Sequence, residues 1–235
     1  MRRLEKRVAI VTGASRGIGK VVGAMLAREG ASVVLAARSV RELELVAESL
    51  RDEGAETLAM AADLTSEKEI TRLVDATISN FSKVDILVNN AGVGVFKPVA
   101  TTSAEEFDLM CGVNFRGLFL LTKAVLPHMI KAESGCIVNI ASLAGKNSVK
   151  GGAVYAATKW AVRGFSSSLM LEVREKNIRV TTIFPGSVDT TFSSMNLRGE
   201  RITQPSDVAE AVLFAATAPA RSMVSEIDIR PTRPQ

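Results

Sequence analysis

The sequence predicts an α/β fold: one doubly wound domain in which a parallel sheet of about seven strands carries helices on both faces. Three observations predict it. Strand-like and helical patterns alternate from one end of the 235 residues to the other. The strand-like runs are continuously apolar rather than alternating, as expected of strands buried on both faces of a parallel sheet. No linker, internal repeat or low-complexity tract interrupts them, so residues 1–235 are expected to form a single unit.

The apolar runs are VAIVTG (8–13), SVVLAA (32–37), TLAMAA (57–62), DILVNN (85–90), CIVNIAS (136–142), RVTTIFPG (179–186) and EIDIR (226–230), each bounded by turn signals. Helical patterns lie between them. The segment 39–54 opens with Ser39 and Glu42 in capping-box spacing, carries Leu43, Val46 and Leu50 on one face and stops at Gly54. Ser66 with Glu69, and Thr102 with Glu105, open two more. In such a sheet, ligands are expected at the carboxyl ends of the strands.

Composition narrows the function classes. The chain is 47% hydrophobic, enough for a sizeable core, and its net charge of +4 is mild. The 29 basic residues are scattered, which fits a solvated exterior and gives no nucleic-acid surface. After the basic opening MRRLEKR, the apolar run VAIV is too short for a signal-peptide core, and no later stretch holds eighteen uninterrupted apolar residues. A cytoplasmic protein with no membrane contact is expected. Cys111 and Cys136 supply neither a disulfide framework nor metal-ligand spacing, so no metal is expected. His128, the single histidine, follows Pro127 near the end of an apolar helical stretch and reads as a surface or structural residue. Nucleophilic mechanisms that need a histidine base are thereby disfavoured.

The first strand end carries the strongest local signal. VAIVTGASRGIGK runs a strand into Gly13, Gly17 and Gly19, with a helix expected from Lys20. Glycines permit the tight turn and let backbone N–H groups approach a phosphate, which a helix N-terminus also favours. The Walker A pattern fails, with Ala14 where glycine is needed and Val21 in place of Ser or Thr. The G-x-G-x-x-G fingerprint fails too, because the spacing is G-x-x-x-G-x-G. The turn still reads as a nucleotide site, which makes the domain Rossmann-type. Farther on, Tyr155, the only tyrosine, stands four residues before Lys159, so on a helix the two share one face.

These motifs together carry a resemblance. TGASRGIG at 12–19, NNAG at 89–92, Asn114 in a helical stretch, Ser142 after the fifth strand, YAATK at 155–159 and PGSVDT at 185–190 follow in the order of the classical short-chain dehydrogenase/reductase family. Ser142 precedes Tyr155 by thirteen residues, as that family commonly has it. The resemblance covers residues 6 to about 215 and is nearest to bacterial 3-oxoacyl-carrier-protein reductases. The closing EIDIRPTRPQ departs from them, since they usually carry a Gly-Gly pair there.

The resemblance implies a catalytic quartet of Asn114, Ser142, Tyr155 and Lys159. Tyr155 would pass a proton to an oxygen that gains negative charge as hydride reaches its carbon. The Lys159 charge is expected to draw the phenol from its ordinary value near 10 toward working pH. By resemblance, Lys159 also holds the nicotinamide ribose, Ser142 bonds the substrate oxygen and Asn114 supports a water-linked proton path. Gly13, Ser15, Arg16, Gly17, Ile18 and Gly19 would cradle the dinucleotide. Asp63, with Leu64 beside it, would meet the adenine, although Asp63 fits a capping role for the Thr65 segment equally well. Asn90, Ala91 and Gly92 would lie along the adenosine ribose. Pro185, Gly186, Val188 and Thr190 would form the loop over the nicotinamide and pyrophosphate.

An NADP(H)-dependent oxidoreductase acting on a carbonyl or an alcohol is therefore expected. Position 37, where NAD-type members of the family usually place Asp, is Ala, and Arg38 and Arg16 could clamp a 2′-phosphate. Two other readings stand beside it: an idle dinucleotide-binding sensor or scaffold, and an alcohol dehydrogenase working in the oxidative direction. Residues 93–97, 143–152 and 187–203 are the expected substrate walls, the last a covering segment with Phe192, Met195 and Leu197. Lys97, Lys146 and Lys150 could receive an anionic carrier. Apolar excess in 107–130 and 153–175 points to a homotetramer.

Overall fold

Every residue of the run Val8–Thr12 is buried, and it forms β1 at the middle of the sheet. The computed structural model describes residues 2–192 and 202–232. β1 pairs in parallel with β2 (Ser32–Ala37) on one side and β4 (Ile86–Asn89) on the other. β3 (Thr57–Ala61), β5 (Gly135–Ile140), β6 (Ile178–Pro185) and β7 (Glu226–Ile229) complete the order β3-β2-β1-β4-β5-β6-β7, with every pair parallel. The seven expected strands all form, within about a residue or two at each end. β7 lies at one edge and is half-exposed.

Successive side chains of a strand point to opposite faces, and the core divides accordingly. Ala9, Val11, Val33 and Leu35 join Val22 and Leu26 of α1 (Gly17–Arg28), Leu43 and Leu50 of α2 (Val40–Asp52) and Val212 of α7 (Pro205–Thr217). Ile10, Val34 and Leu87 point the other way. They meet Leu73 of α3 (Glu67–Phe81), Leu121 and Val125 of α5 (Leu118–Ala132) and Leu169 of α6 (Ala153–Val173). Helices thus cover both faces.

α4 (Ala104–Cys111), the π-helical turn Gly112–Gly117 and α5 run on as one helix over Ala104–Ala132. By length and composition alone this helix could cross a membrane. Here it packs against the sheet through Leu121, Val125 and Met129.

Two helix starts, and the capping bonds of two other helices, differ from the sequence pattern. α1 begins at Gly17, three residues before Lys20. α4 is capped by Ser103 and Glu106, one residue beyond the expected Thr102 and Glu105. The reason is that the Thr102 hydroxyl already donates to the Pro98 carbonyl, whereas Ser103 Oγ accepts from Glu106 N and the Glu106 carboxylate accepts from Ser103 N. Ser39 stands at the α2 cap but its side chain makes no capping bond. Ser66 does cap α3, accepting from Glu69 N at 3.4 Å, while the Glu69 carboxylate accepts from Asp63 N instead of closing a box.

Candidate active site

The sheet order reverses direction at β1, so a crevice opens where the carboxyl ends of β1 and β4 diverge toward their neighbours. A single hydroxyl organises this point. Thr12 Oγ1 accepts from Asn90 N at 2.9 Å and Ala91 N at 3.0 Å, and donates to Val88 O. Asn90 Nδ2 returns a bond to Thr12 O at 2.9 Å. The turns after β1 and β4 therefore move as one body. A threonine ending a fully apolar strand was the available sequence signal for this residue.

The turn after β1 needs glycine for two separate reasons. Gly13 and Gly17 have φ of +65° and +55°, the left-handed region that side chains disfavour. Gly19 is buried, and a Cβ on it would overlap the Gly13 carbonyl oxygen and Asn90 Nδ2. α1 starts with no side-chain cap, which leaves its first-turn amides available to an anion.

A cleft of about 950 Å³ runs along these strand ends. On the β2 and β3 side it is bordered by Arg16, Arg38, Asp63 and Leu64, with Ser15, Gly17 and Ile18 from the glycine turn. On the β5 and β6 side it is bordered by Ser142, Tyr155, Lys159, Pro185, Gly186, Val188 and Thr190, and Asn90, Ala91 and Gly92 lie between. All the expected site residues meet this cleft except Gly19 and Asn114. Gly19 acts by close packing. Asp63 does both things the sequence allowed: it borders the cleft, and its Oδ1 accepts from Thr65 N and Thr65 Oγ1 at 2.9 Å each.

Asn114 sits in the π-helical turn, 1% exposed. Its Oδ1 accepts from Val93 N at 2.8 Å, and its Nδ2 donates to Val93 O at 2.9 Å and to Thr158 Oγ1 at 3.0 Å. It thus holds the segment after β4 against α6. Gly92 leaves a small space beside it: a Cβ there would stand 3.4 Å from Asn114 Oδ1 and 3.6 Å from Lys159 Nζ.

Tyr155 and Lys159 share one face of α6, both almost fully buried. Burial pushes the Tyr155 phenol above its ordinary value, and a hydrogen bond with Ser142 pulls it part of the way back. The expected lowering by Lys159 does not occur. Lys159 Nζ donates to Ile140 O at 3.1 Å and lies 5.8 Å from the Tyr155 ring centroid, and burial brings its own value down to about 8. Desolvation is the largest cause of the shift in both groups.

Two of the three lysines expected to meet an anionic carrier are engaged elsewhere. Lys97 Nζ donates to Glu106 at 2.6 Å, and Lys146 Nζ reaches both Glu226 and Asp228 at 2.6 Å. Phe192 borders the cleft, whereas Met195 and Leu197 lie outside the described residues. Phe96, Glu42, Arg230 and Pro231 also border it. His128 is exposed on α5, and no group of acidic, Cys or His residues among those described could hold a metal.

The sequence profile of short chain dehydrogenases matches residues 7–201. The chain belongs to this family. An uncharacterized oxidoreductase of Staphylococcus epidermidis is 36% identical over 232 residues, 98% of this chain and 100% of that protein. Among solved structures, a metagenomic short-chain oxidoreductase in complex with NADP superposes with a TM-score of 0.88 at 38% identity, covering 99% of this chain and 100% of that one. A 3-ketoacyl-(acyl-carrier-protein) reductase from Brucella melitensis complexed with NADH gives 0.90 at 34% identity, covering 96% and 97%. As a member of the short-chain dehydrogenases the chain is an oxidoreductase, and nicotinamide dinucleotides are the cofactors of that family. The cleft fits one, with a glycine cradle and uncapped helix amides midway and a phenol–hydroxyl pair at one end.

Proposed function

We propose that this oxidoreductase uses NADP(H) to interconvert a ketone or aldehyde and an alcohol, with Tyr155 as general acid and base. The observation that carries this reading is the meeting of Ser142, Tyr155 and Lys159, the last two one helical turn apart on α6, in the same cleft as the glycine turn. The bound dinucleotide supplies the two electrons as a hydride to the carbonyl carbon. Ser142 and Tyr155 hold the carbonyl oxygen, and the Tyr155 O–H bond breaks as its proton passes to that oxygen. The raised phenol value keeps Tyr155 protonated, the form reduction needs. Lys159 and Asn114 border the space at Gly92 through which water could return the proton.

Gly13, Ser15, Gly17, Ile18 and the amides of α1 hold the pyrophosphate, with Gly19 shaping the turn. Arg16 and Arg38 clamp the 2′-phosphate, Asp63 and Leu64 border the adenine, and Asn90, Ala91 and Gly92 border its ribose. Lys159 bonds the nicotinamide ribose, and Pro185, Gly186, Val188 and Thr190 close over the nicotinamide. Oxidation of an alcohol uses the same groups in reverse. Exposed Phe107, Phe119 and Trp160 on α4, α5 and α6 support a homotetramer, and unpaired Cys111 and Cys136 suit the cytoplasm.

Tyr155→Phe tests the reading. Turnover of the best carbonyl substrate, followed by NADPH absorbance, should fall roughly 10²–10⁴-fold while NADPH affinity holds. Retention of more than about a third of wild-type turnover would leave the general-acid role without support. A wild type that binds NADPH yet reduces no carbonyl would instead favour the idle sensor.

A further inference from the structure

The Tyr155 ring is flanked by two others. The Phe96 centroid lies 5.0 Å from it with the rings tilted by 55°, and the Phe192 centroid lies 5.9 Å from it with a tilt of 51°. Both phenylalanines border the cleft and both stay largely open, at 46% and 42% exposure. Two large apolar rings left open inside a cleft, beside a reactive hydroxyl, read as binding surface rather than core.

Their placement is built into the backbone. A Cβ at Gly94 would meet the Phe96 ring at 2.9 Å and the Phe192 ring at 3.1 Å, so the missing side chain leaves room for both rings. A Cβ at Gly152 would stand 3.3 Å from Phe96 on the side toward Val149. Val93, Leu143 and Val149 add apolar lining at this end. Two of the three lysines near this end in sequence, Lys97 and Lys146, are neutralised by Glu106 and by Glu226 with Asp228. That leaves fewer free cations here for a charged acyl carrier.

We infer that Phe96 and Phe192 form aromatic walls that select planar apolar carbonyl substrates, of which aryl ketones are the chemical class. The inference rests on Tyr155 serving as the proton donor, because that brings the substrate carbonyl to the ring that both phenylalanines contact. Aromatic pairs prefer tilted or offset contacts with centroids about 4.5–7 Å apart. A ring attached to the carbonyl carbon can make such contacts with Phe96 and Phe192, and a short alkyl chain cannot. The reaction balances as before: hydride from NADPH to the carbonyl carbon and proton from Tyr155 to the oxygen, giving the aryl alcohol and NADP⁺.

Acetophenone and butanone are the probes, assayed with NADPH on the full chain. Conjugation makes acetophenone the poorer hydride acceptor, so a preference for it reports binding. The kcat/KM for acetophenone should exceed that for butanone by about tenfold or more. Phe96→Leu, which keeps apolar bulk but removes the ring, should cut that ratio to within about threefold through KM, and Phe96→Tyr should restore it. Phe192→Leu should act in the same direction and serves if the Phe96 variant fails to fold. A wild-type ratio at or below one, or a ratio unmoved by both leucine variants, overturns the inference. So does clear preference for an oxoacyl thioester of an acyl carrier over acetophenone.

If NADPH binds but no ketone, aldehyde or oxoacyl thioester turns over, the proton-transfer reading has failed, and calorimetry then judges the walls alone. Binding of 1-phenylethanol to the NADP⁺ complex should weaken by about fivefold or more in Phe96→Leu; equal affinity overturns the inference.

Discussion

Asn114 is fastened to Val93 by both ends of its carboxamide, accepting from Val93 N at 2.8 Å and donating to Val93 O at 2.9 Å. A side chain bonded in this way does structural work whatever else it does. Asn114→Ala would orphan both Val93 groups and remove one donor from Thr158 Oγ1, which keeps its own bond to Tyr155 O. It is expected to cost about 2–4 kcal/mol, since each buried group left unpaired costs roughly 1–3 kcal/mol. Urea unfolding without cofactor measures this, and a loss below about 0.5 kcal/mol would show that the segment after β4 is held by other means.

NADPH should be preferred over NADH. Arg16 and Arg38 both border the cleft beside Ala37, and a charge-assisted bond to the 2′-phosphate is worth roughly 1.5–3 kcal/mol. That corresponds to a preference in kcat/KM of about tenfold or more. Ala37→Asp combined with Arg38→Ala should reverse the order, because a carboxylate repels the phosphate and bonds a free ribose hydroxyl. Equal use of NADH by the unaltered chain would show that the two guanidinium groups bind no phosphate.

Stability of the cofactor-free protein should rise with pH above 8. Lys159 titrates near 8 in the fold against an ordinary value of 10.5. Below 8 the amine is charged in both states, and its burial cost is fully present. Between the two values the unfolded chain keeps the proton that the fold has lost, so the unfolding free energy climbs. Relative to Lys159→Met, the wild type should gain about 2 kcal/mol between pH 7 and roughly pH 9.5. Tyr155, shifted upward, opposes this trend only above its ordinary value of 10.0. Parallel curves for the two proteins would mean that Lys159 is not desolvated.

Gly19→Ala should damage fold and cofactor site together. Its Cβ would overlap the Gly13 carbonyl and the Asn90 amide, and both belong to the rigid body around Thr12. A stability loss of about 2–4 kcal/mol with at least about tenfold weaker NADPH binding is expected. An alanine variant with unchanged affinity by fluorescence titration would show that the turn yields cheaply.

Much of this was legible in the sequence, for a local reason. Runs such as VAIVT and GCIVNI are wholly buried, so composition alone marks them as strands. The glycine turn and the Tyr155–Lys159 pair are equally local. What was misread depends on distant partners. Thr102 and Ser103 both suit a cap, and only the Pro98 carbonyl decides between them. Lys146 reads as free until β7, some eighty residues later, brings it Glu226 and Asp228. The Tyr155 shift was expected in the wrong direction because spacing reveals a neighbouring charge but not the depth of burial. Thr12 went unnoticed because its partners Asn90 and Ala91 lie on another strand's end.

The order β3-β2-β1-β4-β5-β6-β7 sets the ends of β2 and β5 on opposite flanks of the central pair β1 and β4. Arg38 follows one and Ser142 the other, with the Thr12 junction as a stiff partition between them. Among the described residues Arg38 and Ser142 share no side-chain partner, and they would meet opposite ends of the dinucleotide. The free-energy effects of changes at the two should therefore simply sum. Coenzyme choice and substrate range are then independently adjustable, and a chain retuned for NADH would carry over its carbonyl preference intact.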